Sequence, residues 1–171
     1  METKTIDMVQ QVSLDECKII TQWIQKENKT NVPHMIEVTS EELLETANTY
    51  GCCAIKHNDE LIGFIKVLPV EKEGILLLER WSVIIKEEYR NQWRAKHLIK
   101  MILDNHKETP MYSVTNVRAI EKISQSFWQY KYTANDIPKQ ILEIIEMPWK
   151  LLENDTVYTN EILHVLIQKL W

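Results

Sequence analysis

A change of hydrophobic period between Glu79 and Leu103 constrains the fold of this chain more than any other feature. In the first part, Trp81, Val83 and Ile85 alternate with their neighbours, which is the period of a β-strand. After a short charged turn, apolar residues recur at the spacing of an amphipathic helix: Ala95, Leu98, Ile99 and Ile102. The stretch therefore predicts a strand that turns directly into a helix.

The start of that predicted helix carries an unusual amount of positive charge. Five basic side chains lie around it: Lys86, Arg90, Arg94, Lys96 and Lys100. The first backbone N–H groups of a helix have no partner within the helix, so such a terminus can bind an anion. Because the whole chain has a net charge of −5, this local reversal of sign favours a polyphosphate ligand.

The overall composition limits the classes of protein to consider. A length of 171 residues predicts one domain, residues 1–171, with a core large enough to fold alone. An excess of 25 acidic over 20 basic side chains disfavours a nucleic-acid partner. Neither a signal peptide nor a run long enough to cross a membrane is present in the sequence. We therefore expect a cytoplasmic protein with no membrane partner.

The three cysteines, Cys17, Cys52 and Cys53, have neither the spacing of a zinc site nor that of a disulfide framework. Small buried thiols in a reducing compartment explain them best. No metal site is expected from the sequence.

The segments before Glu79 read as a short strand, two helices and a hairpin. Met8–Val12 is the predicted strand, and Ser13 and Thr39 each begin a helix, because a glutamate follows three residues after each and completes a capping box. Gly51 suits a left-handed C-cap of the second helix. Cys52–Val70 alternates around a turn at Asn58, Asp59 and Glu60, which predicts a β-hairpin.

The segments after Leu103 are predicted as follows. Pro110–Asn116 is a strand, parallel to the one before it because a helix connects them, and Val117–Gln129 is a helix. Asp136 and Pro138 begin another helix, Val157–Tyr158 is a short strand, and apolar spacing from Ile162 to Leu170 indicates a terminal helix. A dimer contact through that terminal helix, giving a homodimer, is left open beside its packing on the sheet.

The segment Tyr89–Ala95 resembles the acyl-CoA pyrophosphate loop of the GNAT N-acetyltransferase superfamily. That loop has the pattern Arg/Gln-x-x-Gly-x-Gly/Ala after a Val-x-Pro-x-Tyr lead-in, and Ile85–Tyr89 stands in the place of the lead-in. Arg90 and Ala95 match the pattern, whereas Trp93 stands where the first glycine is expected. A glycine there lets the backbone approach the phosphate closely. The indole either crowds the pyrophosphate or turns outward over the adenine, and both alternatives stay open.

The resemblance implies an α+β fold, with a mixed, mostly antiparallel central sheet flanked by helices. The helical C-terminal end comes from the apolar spacing alone and departs from the family, whose domains usually finish with two strands. The core would span about residues 6–132, with an extension over about 133–171. It also implies acetyl-CoA as co-substrate, with its pantetheine arm between two splayed strands. The residues implied to bind it are Val83, Ile85, Arg90, Asn91, Gln92, Trp93, Arg94, Ala95 and Asn116.

Two residues are candidates for proton transfer. Glu79 is the only acid in an apolar and basic segment, and partial burial would raise its pKa toward the range of a general base. The resemblance implies that role, while the structural alternatives are a salt bridge, to Arg80 or another cation, and a solvated position at a sheet edge. Phe127 replaces the tyrosine that commonly protonates the leaving thiolate. Tyr130 is the nearest substitute acid, unless it only packs under the helix end.

The sequence thus favours an N-acetyltransferase that uses acetyl-CoA and acts on a primary amine of a small molecule or a peptide. The alternative is a catalytically inactive GNAT-fold binding or regulatory protein, which the departures at Trp93, Phe127 and Lys131 motivate. An unrelated α/β fold that binds a nucleotide or phosphate is a third interpretation, and the order of strands and helices argues against it.

Overall fold

The computed structural model describes residues 6–30, 37–72, 74–90, 93–115, 118–127, 129–133 and 164–168. In chain order, the elements of the first half are β1 (Ile6–Val9), α1 (Leu14–Thr30), α2 (Ser40–Tyr50), β2 (Cys52–His57), β3 (Glu60–Lys72) and β4 (Ile75–Ile85). A short 3₁₀ turn, Glu87–Tyr89, follows β4. The remaining elements are α3 (Arg94–Asn105), β5 (Met111–Thr115), α4 (Arg118–Gln125), β6 (Gln129–Thr133) and β7 (His164–Gln168).

The chain divides into two compact units. The first comprises Met1–Leu68 and Trp81–Asn105, and the second comprises Pro69–Arg80 and His106–Trp171. Strands β3 and β4 each run from one unit into the other. The strands belong to a mixed, mostly antiparallel sheet with flanking helices, as the sequence predicted.

In the first unit, β1 pairs with β2 and β2 pairs with β3, both antiparallel, and β4 is the next neighbour of β3. Helices α1 and α2 cover a core that includes Ile20, Leu43 and Phe64. Gly63 of β3 leaves space for α3, because a Cβ atom there would lie 2.7 Å from Ile85 Cδ1 and 3.3 Å from Leu98 Cδ1. The end of β4 and the start of α3 are therefore anchored to this unit.

In the second unit, β4 pairs with β5 in parallel through Leu78–Met111 and Glu79–Tyr112. This ladder of two residue pairs confirms the predicted parallel arrangement. Strand β7 lies between β5 and β6 and pairs with both in antiparallel fashion. Helix α4 contacts β5, β6 and β7.

Two local signals in the first half of the chain, the first capping box and the hairpin turn, are confirmed, whereas the first strand lies at Ile6–Val9 and not at Met8–Val12. Ser13 and Glu16 form the first capping box, since the Ser13 N–H donates to the Glu16 carboxylate at 2.7 Å and the Glu16 N–H to Ser13 Oγ at 3.3 Å. The hairpin turn has positive φ angles of 51° at Asn58 and 63° at Asp59, which favour this two-residue turn. Gly51 differs from expectation, because its φ of 114° and ψ of 143° are not left-handed helical.

Two predictions near the C-terminus are wrong. The terminal helix is replaced at His164–Gln168 by β7, and the helix predicted through Gln129 ends at Gln125, with Gln129–Thr133 forming β6. A short apolar run such as the one around β7 has the same pattern whether it is a buried strand or a buried helix. The predicted helix at Asp136 and strand at Val157–Tyr158 lie outside the described residues.

The capping box of α2 supports a prediction about stability. The Thr39 hydroxyl accepts the Glu42 N–H at 3.2 Å, and the Thr39 N–H donates to the Glu42 carboxylate at 2.9 Å. We expect Thr39→Ala to lower the free energy of unfolding by roughly 0.5–2 kcal/mol, measured in urea, because an N-cap acceptor is lost. Ser40→Ala is the control, since the Ser40 hydroxyl bonds only the neighbouring Glu41 side chain in the described hydrogen bonds. Equal losses in both variants would contradict the prediction.

Among the described residues, no helix is both long and apolar enough to cross a membrane.

Candidate active site

The start of α3 holds a buried arginine, Arg94. Arg94 is the first residue of the helix and is only 7% exposed. Within the part of the chain that the structure describes, its Nε and one terminal nitrogen have no hydrogen-bond partner. Leaving such donors unbonded in a buried place costs free energy. An anion at this point would supply the acceptors, and the positive end of the helix would favour it too.

Two aromatic rings flank the Arg94 guanidinium. Its central carbon lies 4.9 Å from the centre of the Tyr89 ring and 5.6 Å from that of Trp93. A cation over an aromatic face is stabilised by the ring quadrupole without using its N–H groups. The guanidinium is therefore held in position by contacts that do not use its N–H groups.

Tyr89 is itself fixed by a residue at the end of β2. Its hydroxyl lies 3.0 Å from His57 Nδ1, and the two rings meet edge to face. Lys86 Nζ lies 5.9 Å from the centre of the same tyrosine ring. The 3₁₀ turn is thus tied to the hairpin, which stabilises the ring that supports Arg94.

Arg90 makes a different set of contacts from Arg94. Its Nε donates to the Ile85 carbonyl oxygen at 3.0 Å, and a terminal nitrogen bonds the Glu27 carboxylate. The Glu27 side chain is only 14% exposed. Solvent therefore screens this ion pair less than it screens the neighbouring exposed pair of Lys26 and Glu87. Arg90 therefore connects the end of β4 to the last part of α1.

Trp93 precedes α3, and its indole lies partly in solvent. The residue is 43% exposed, and its carbonyl oxygen accepts the His97 N–H at 3.0 Å, the first bond of the helix. The centres of the indole and the His97 ring are 4.0 Å apart, at 67°. Of the two alternatives for this side chain, the outward orientation agrees with this exposure.

The other residues expected at the cofactor are placed as follows. Ile85 is buried at the end of β4, Val83 is half-buried two residues earlier, and Ala95 is half-buried in the first turn of α3. Asn91, Gln92 and Asn116 lie outside the described residues. The structure therefore brings Ile85, Arg90, Trp93, Arg94 and Ala95 into one connected segment of the first unit.

In the second unit, Glu79 is hydrogen-bonded to a tyrosine that sequence reasoning did not single out. The two residues face each other in the parallel ladder, and the Tyr112 side chain bonds Glu79. Tyr112 is 1% exposed, and this burial, together with the Glu79 charge, raises the pKa of its hydroxyl. The hydroxyl therefore stays protonated and donates to the half-buried carboxylate. Only the register of two strands far apart in sequence reveals this pair.

Tyr130 lies in β6, not at the end of a helix. The candidate acid is thus part of a strand. Phe127, in the place of the usual tyrosine acid, is half-buried just after α4.

The three cysteines are buried thiols. All three cysteines are buried and unpaired by disulfides, as predicted. Burial raises the pKa of Cys17 and of Cys52 to about 11 and that of Cys53 to about 12, so the thiols stay protonated and unreactive near neutral pH. The described ranges contain no group of three His, Cys, Asp or Glu side chains that could hold a metal ion.

Comparison with known proteins gives a family and a fold. A family model described as "Acetyltransferase (GNAT) family" matches residues 18–131. None of the curated proteins matches the sequence. Among solved structures, N-acetylglutamate synthase from Neisseria gonorrhoeae, complexed with coenzyme A and N-acetyl-glutamate, is similar with a TM-score of 0.70 and 10% identity. The match covers 99% of this chain and 36% of the synthase, so the chain spans about a third of that protein.

A second solved structure is similar over nearly the whole of both chains. Naa50 from Arabidopsis thaliana, in complex with the bisubstrate analogue CoA-Ac-MVNAL, has a TM-score of 0.60 and 12% identity. The match covers 97% of this chain and 99% of that one. At such identities the likeness shows the fold alone.

Proposed function

The chain belongs to the acetyltransferase (GNAT) family, and on that premise we propose that it transfers an acetyl group from acetyl-CoA to a primary amine. The observation that carries the proposal is the buried Arg94 at the start of α3, two of whose nitrogens have no acceptor among the residues that the structure describes. A pyrophosphate supplies several anionic oxygens, and a guanidinium binds phosphate oxygens through paired N–H groups. The GNAT-like solved structures that contain coenzyme A support this choice of anion.

In this proposal the two arginines of the loop have separate roles. Arg94 binds phosphate oxygens together with the first free N–H groups of α3. Arg90 takes the first position of the family pattern, but its contacts with Ile85 and Glu27 make it a residue that holds the loop in place. In the family pattern, backbone at a glycine contacts the phosphate. Trp93 stands in the place of that glycine here, so the Arg94 side chain would supply part of the contact.

The proposed reaction is a direct attack on the thioester. The lone pair of the neutral amine forms the new C–N bond, the C–S bond breaks, and its electron pair stays on the thiolate sulfur. Glu79 accepts a proton from the amine nitrogen, directly or through water, because it is a half-buried carboxylate held by Tyr112. The sulfur takes a proton from Tyr130 or from water. No metal is required for this sequence of steps.

The ligands of the two similar structures support a class of amine acceptor. One of them holds N-acetyl-glutamate, and the other holds an analogue in which CoA is joined to a peptide. We therefore propose an α-amino group, of a free amino acid or of a peptide N-terminus, as the first acceptor to test.

The test combines binding with turnover. Calorimetric titration of the purified protein with acetyl-CoA should give a saturable site of micromolar strength. Release of free CoA, followed with a thiol reagent, should then depend on an added amine from a panel of amino acids and peptides. Absence of acetyl-CoA binding would overturn the proposal.

A second candidate function is a binding or regulatory protein that holds CoA without turnover. Phe127 favours it, because a phenyl ring cannot donate a proton to the leaving sulfur. General acid catalysis supplies only part of the rate, roughly 10²–10⁴-fold, so its loss slows a reaction without preventing it. Acetyl-CoA binding without any amine-dependent CoA release would favour this second function.

The hydrogen bond between Tyr112 and Glu79 makes a prediction about pH dependence. A hydrogen bond to the ionised carboxylate stabilises its charged form. We expect Tyr112→Phe to remove that stabilisation, so the acidic limb of the kcat/KM profile should move to higher pH. The measurement is kcat/KM against pH for both proteins, with melting temperature as a check on folding. An acidic limb that stays in place, or moves to lower pH, would show that Tyr112 does not act on the base.

A further inference from the structure

The loop between β4 and α3 contains no glycine, and it is contacted by the end of the β2–β3 hairpin. His57 Nδ1 lies 3.0 Å from the Tyr89 hydroxyl oxygen, and the Glu60 carboxylate forms an ion pair with Lys86. His57 and Glu60 face each other as the last pair of the hairpin ladder. The hairpin end therefore holds the loop at two points.

Of these two contacts, the one made by His57 is the more specific. The Glu60 side chain is 54% exposed, and Lys86 also pairs with Glu88 at 2.9 Å. Loss of Glu60 would thus leave Lys86 with another carboxylate, and exposed ion pairs add little stability. The imidazole of His57 instead meets the Tyr89 ring edge to face, with ring centres 5.6 Å apart and planes at 70°. This contact fixes both the hydroxyl and the plane of the tyrosine ring.

The Tyr89 ring connects His57 to Arg94. The ring centre lies 4.9 Å from the guanidinium carbon, and the attraction between a cation and a ring depends on where the ring lies and on its negative charge. A tyrosine hydroxyl that donates to an imidazole nitrogen gives its ring more negative charge, because hydrogen bonds polarise the groups that they join. His57 can therefore affect Arg94 without touching it.

We propose that His57 is a positioning residue of the anion site, which acts on the affinity for acetyl-CoA through the Tyr89 ring and Arg94. The inference rests on the proposed function, and it adds a residue from a hairpin that the loop pattern of the family does not include. Since His57 acts through another residue, it should change the binding of the donor and not the rate of the bound complex.

The experiment is a double-mutant cycle on the contact between His57 and Tyr89, with calorimetric titration of acetyl-CoA and of inorganic pyrophosphate. His57→Phe and Tyr89→Phe each keep an aromatic ring and remove one partner of the hydrogen bond. Each should weaken both ligands by roughly 2- to 12-fold, the effect of one neutral hydrogen bond. The double variant should be no weaker than either single variant, because both changes remove the same contact.

Kinetics and a control distinguish positioning from a general effect on the fold. The KM for acetyl-CoA should rise by the same factor as the affinity falls, with kcat at saturation unchanged. His57→Asn should retain most of the affinity, since its amide oxygen can accept the tyrosine proton. Asp59→Asn is the control, because Asp59 is an exposed residue of the same hairpin turn, where asparagine tolerates the positive φ. It should leave affinity and KM unchanged.

The outcomes separate this inference from the function on which it rests. Additive losses in the double variant, or a lower melting temperature with unchanged affinity, would overturn the positioning role and leave acetyl-CoA binding standing. If His57→Phe does not fold, unchanged affinity in Tyr89→Phe would overturn the role by itself. A native protein that binds pyrophosphate but not acetyl-CoA would overturn the proposed function, while the cycle on pyrophosphate would still decide the role of His57. Binding of neither ligand would overturn both.

Discussion

Replacing Arg94 with methionine should weaken acetyl-CoA binding by roughly 100-fold and leave the unliganded protein at least as stable as before. Each hydrogen bond from a charged donor is worth about 1.5–3 kcal/mol, so the loss of two accounts for a change of that size or larger. Methionine keeps an apolar stem of similar length in the space beside Tyr89. The measurements are calorimetric affinity and the melting temperature without ligand.

The melting temperature of the Arg94→Met variant distinguishes a ligand-binding arginine from a structural one. For a ligand-binding arginine we expect it to rise or to stay the same. A buried charge with unbonded N–H donors destabilises the protein without ligand. Replacing that charged side chain with an apolar one removes the destabilisation. A structural arginine would give the opposite pair of results, a lower melting temperature with affinity retained. That pair would contradict the phosphate role.

Two further variants complete the experiment. Lys100→Met, in the same helix, removes an exposed cation that pairs with Asp104, and it should leave both affinity and melting temperature nearly unchanged. Arg90→Met should lower the melting temperature, because it breaks the connection between Ile85 and the shielded Glu27. The two loop arginines would thus give opposite changes in stability.

Replacing Glu79 with glutamine should lower kcat by roughly 10²–10⁴-fold, the range measured for loss of a general base. Glutamine has nearly the same shape and still offers an oxygen to the Tyr112 hydroxyl, so the melting temperature should change little. The KM for acetyl-CoA should also stay near its native value, because the residue acts on the amine. The measurement is steady-state release of CoA at saturating amine across a range of pH.

The control for Glu79 is Glu108→Gln, which removes an exposed carboxylate of the same unit. It should leave kcat unchanged. If Glu79→Gln keeps full activity but lowers the melting temperature, the carboxylate is a structural partner of Tyr112, and the proton acceptor must be sought elsewhere.

The sequence predicted correctly those helix caps, turns and secondary-structure elements that a short segment determines by itself. A capping box needs two side chains three residues apart, as at Ser13 and Glu16, and a two-residue turn needs residues that tolerate positive φ, as at Asn58 and Asp59. The strand and helix around the basic segment were predicted for the same reason, since their periods are visible within one window. A distinctive loop pattern then led from these elements to the family.

The features that depend on long-range register were not accessible in this way. The apolar run around β7 is equally compatible with a helix, and its identity is decided by β5 and β6, which lie on either side of it. Tyr112 acquired a role only when the parallel ladder placed it opposite Glu79. The burial of Arg94 is likewise a property of packing, because charged residues at a helix start are usually solvated.

The position of β7 has a consequence for how the second unit is made. Strands β5 and β6 follow each other closely in the chain but do not pair with each other in the described ladders, since β7 lies between them and comes after residues 134–163. During synthesis, therefore, both strands present unpaired edges until β7 has left the ribosome. Such edges invite pairing with other chains, and the native partner strand lies far along the chain and is made last. A nascent or truncated chain that stops short of residue 164 would be the form most prone to aggregate.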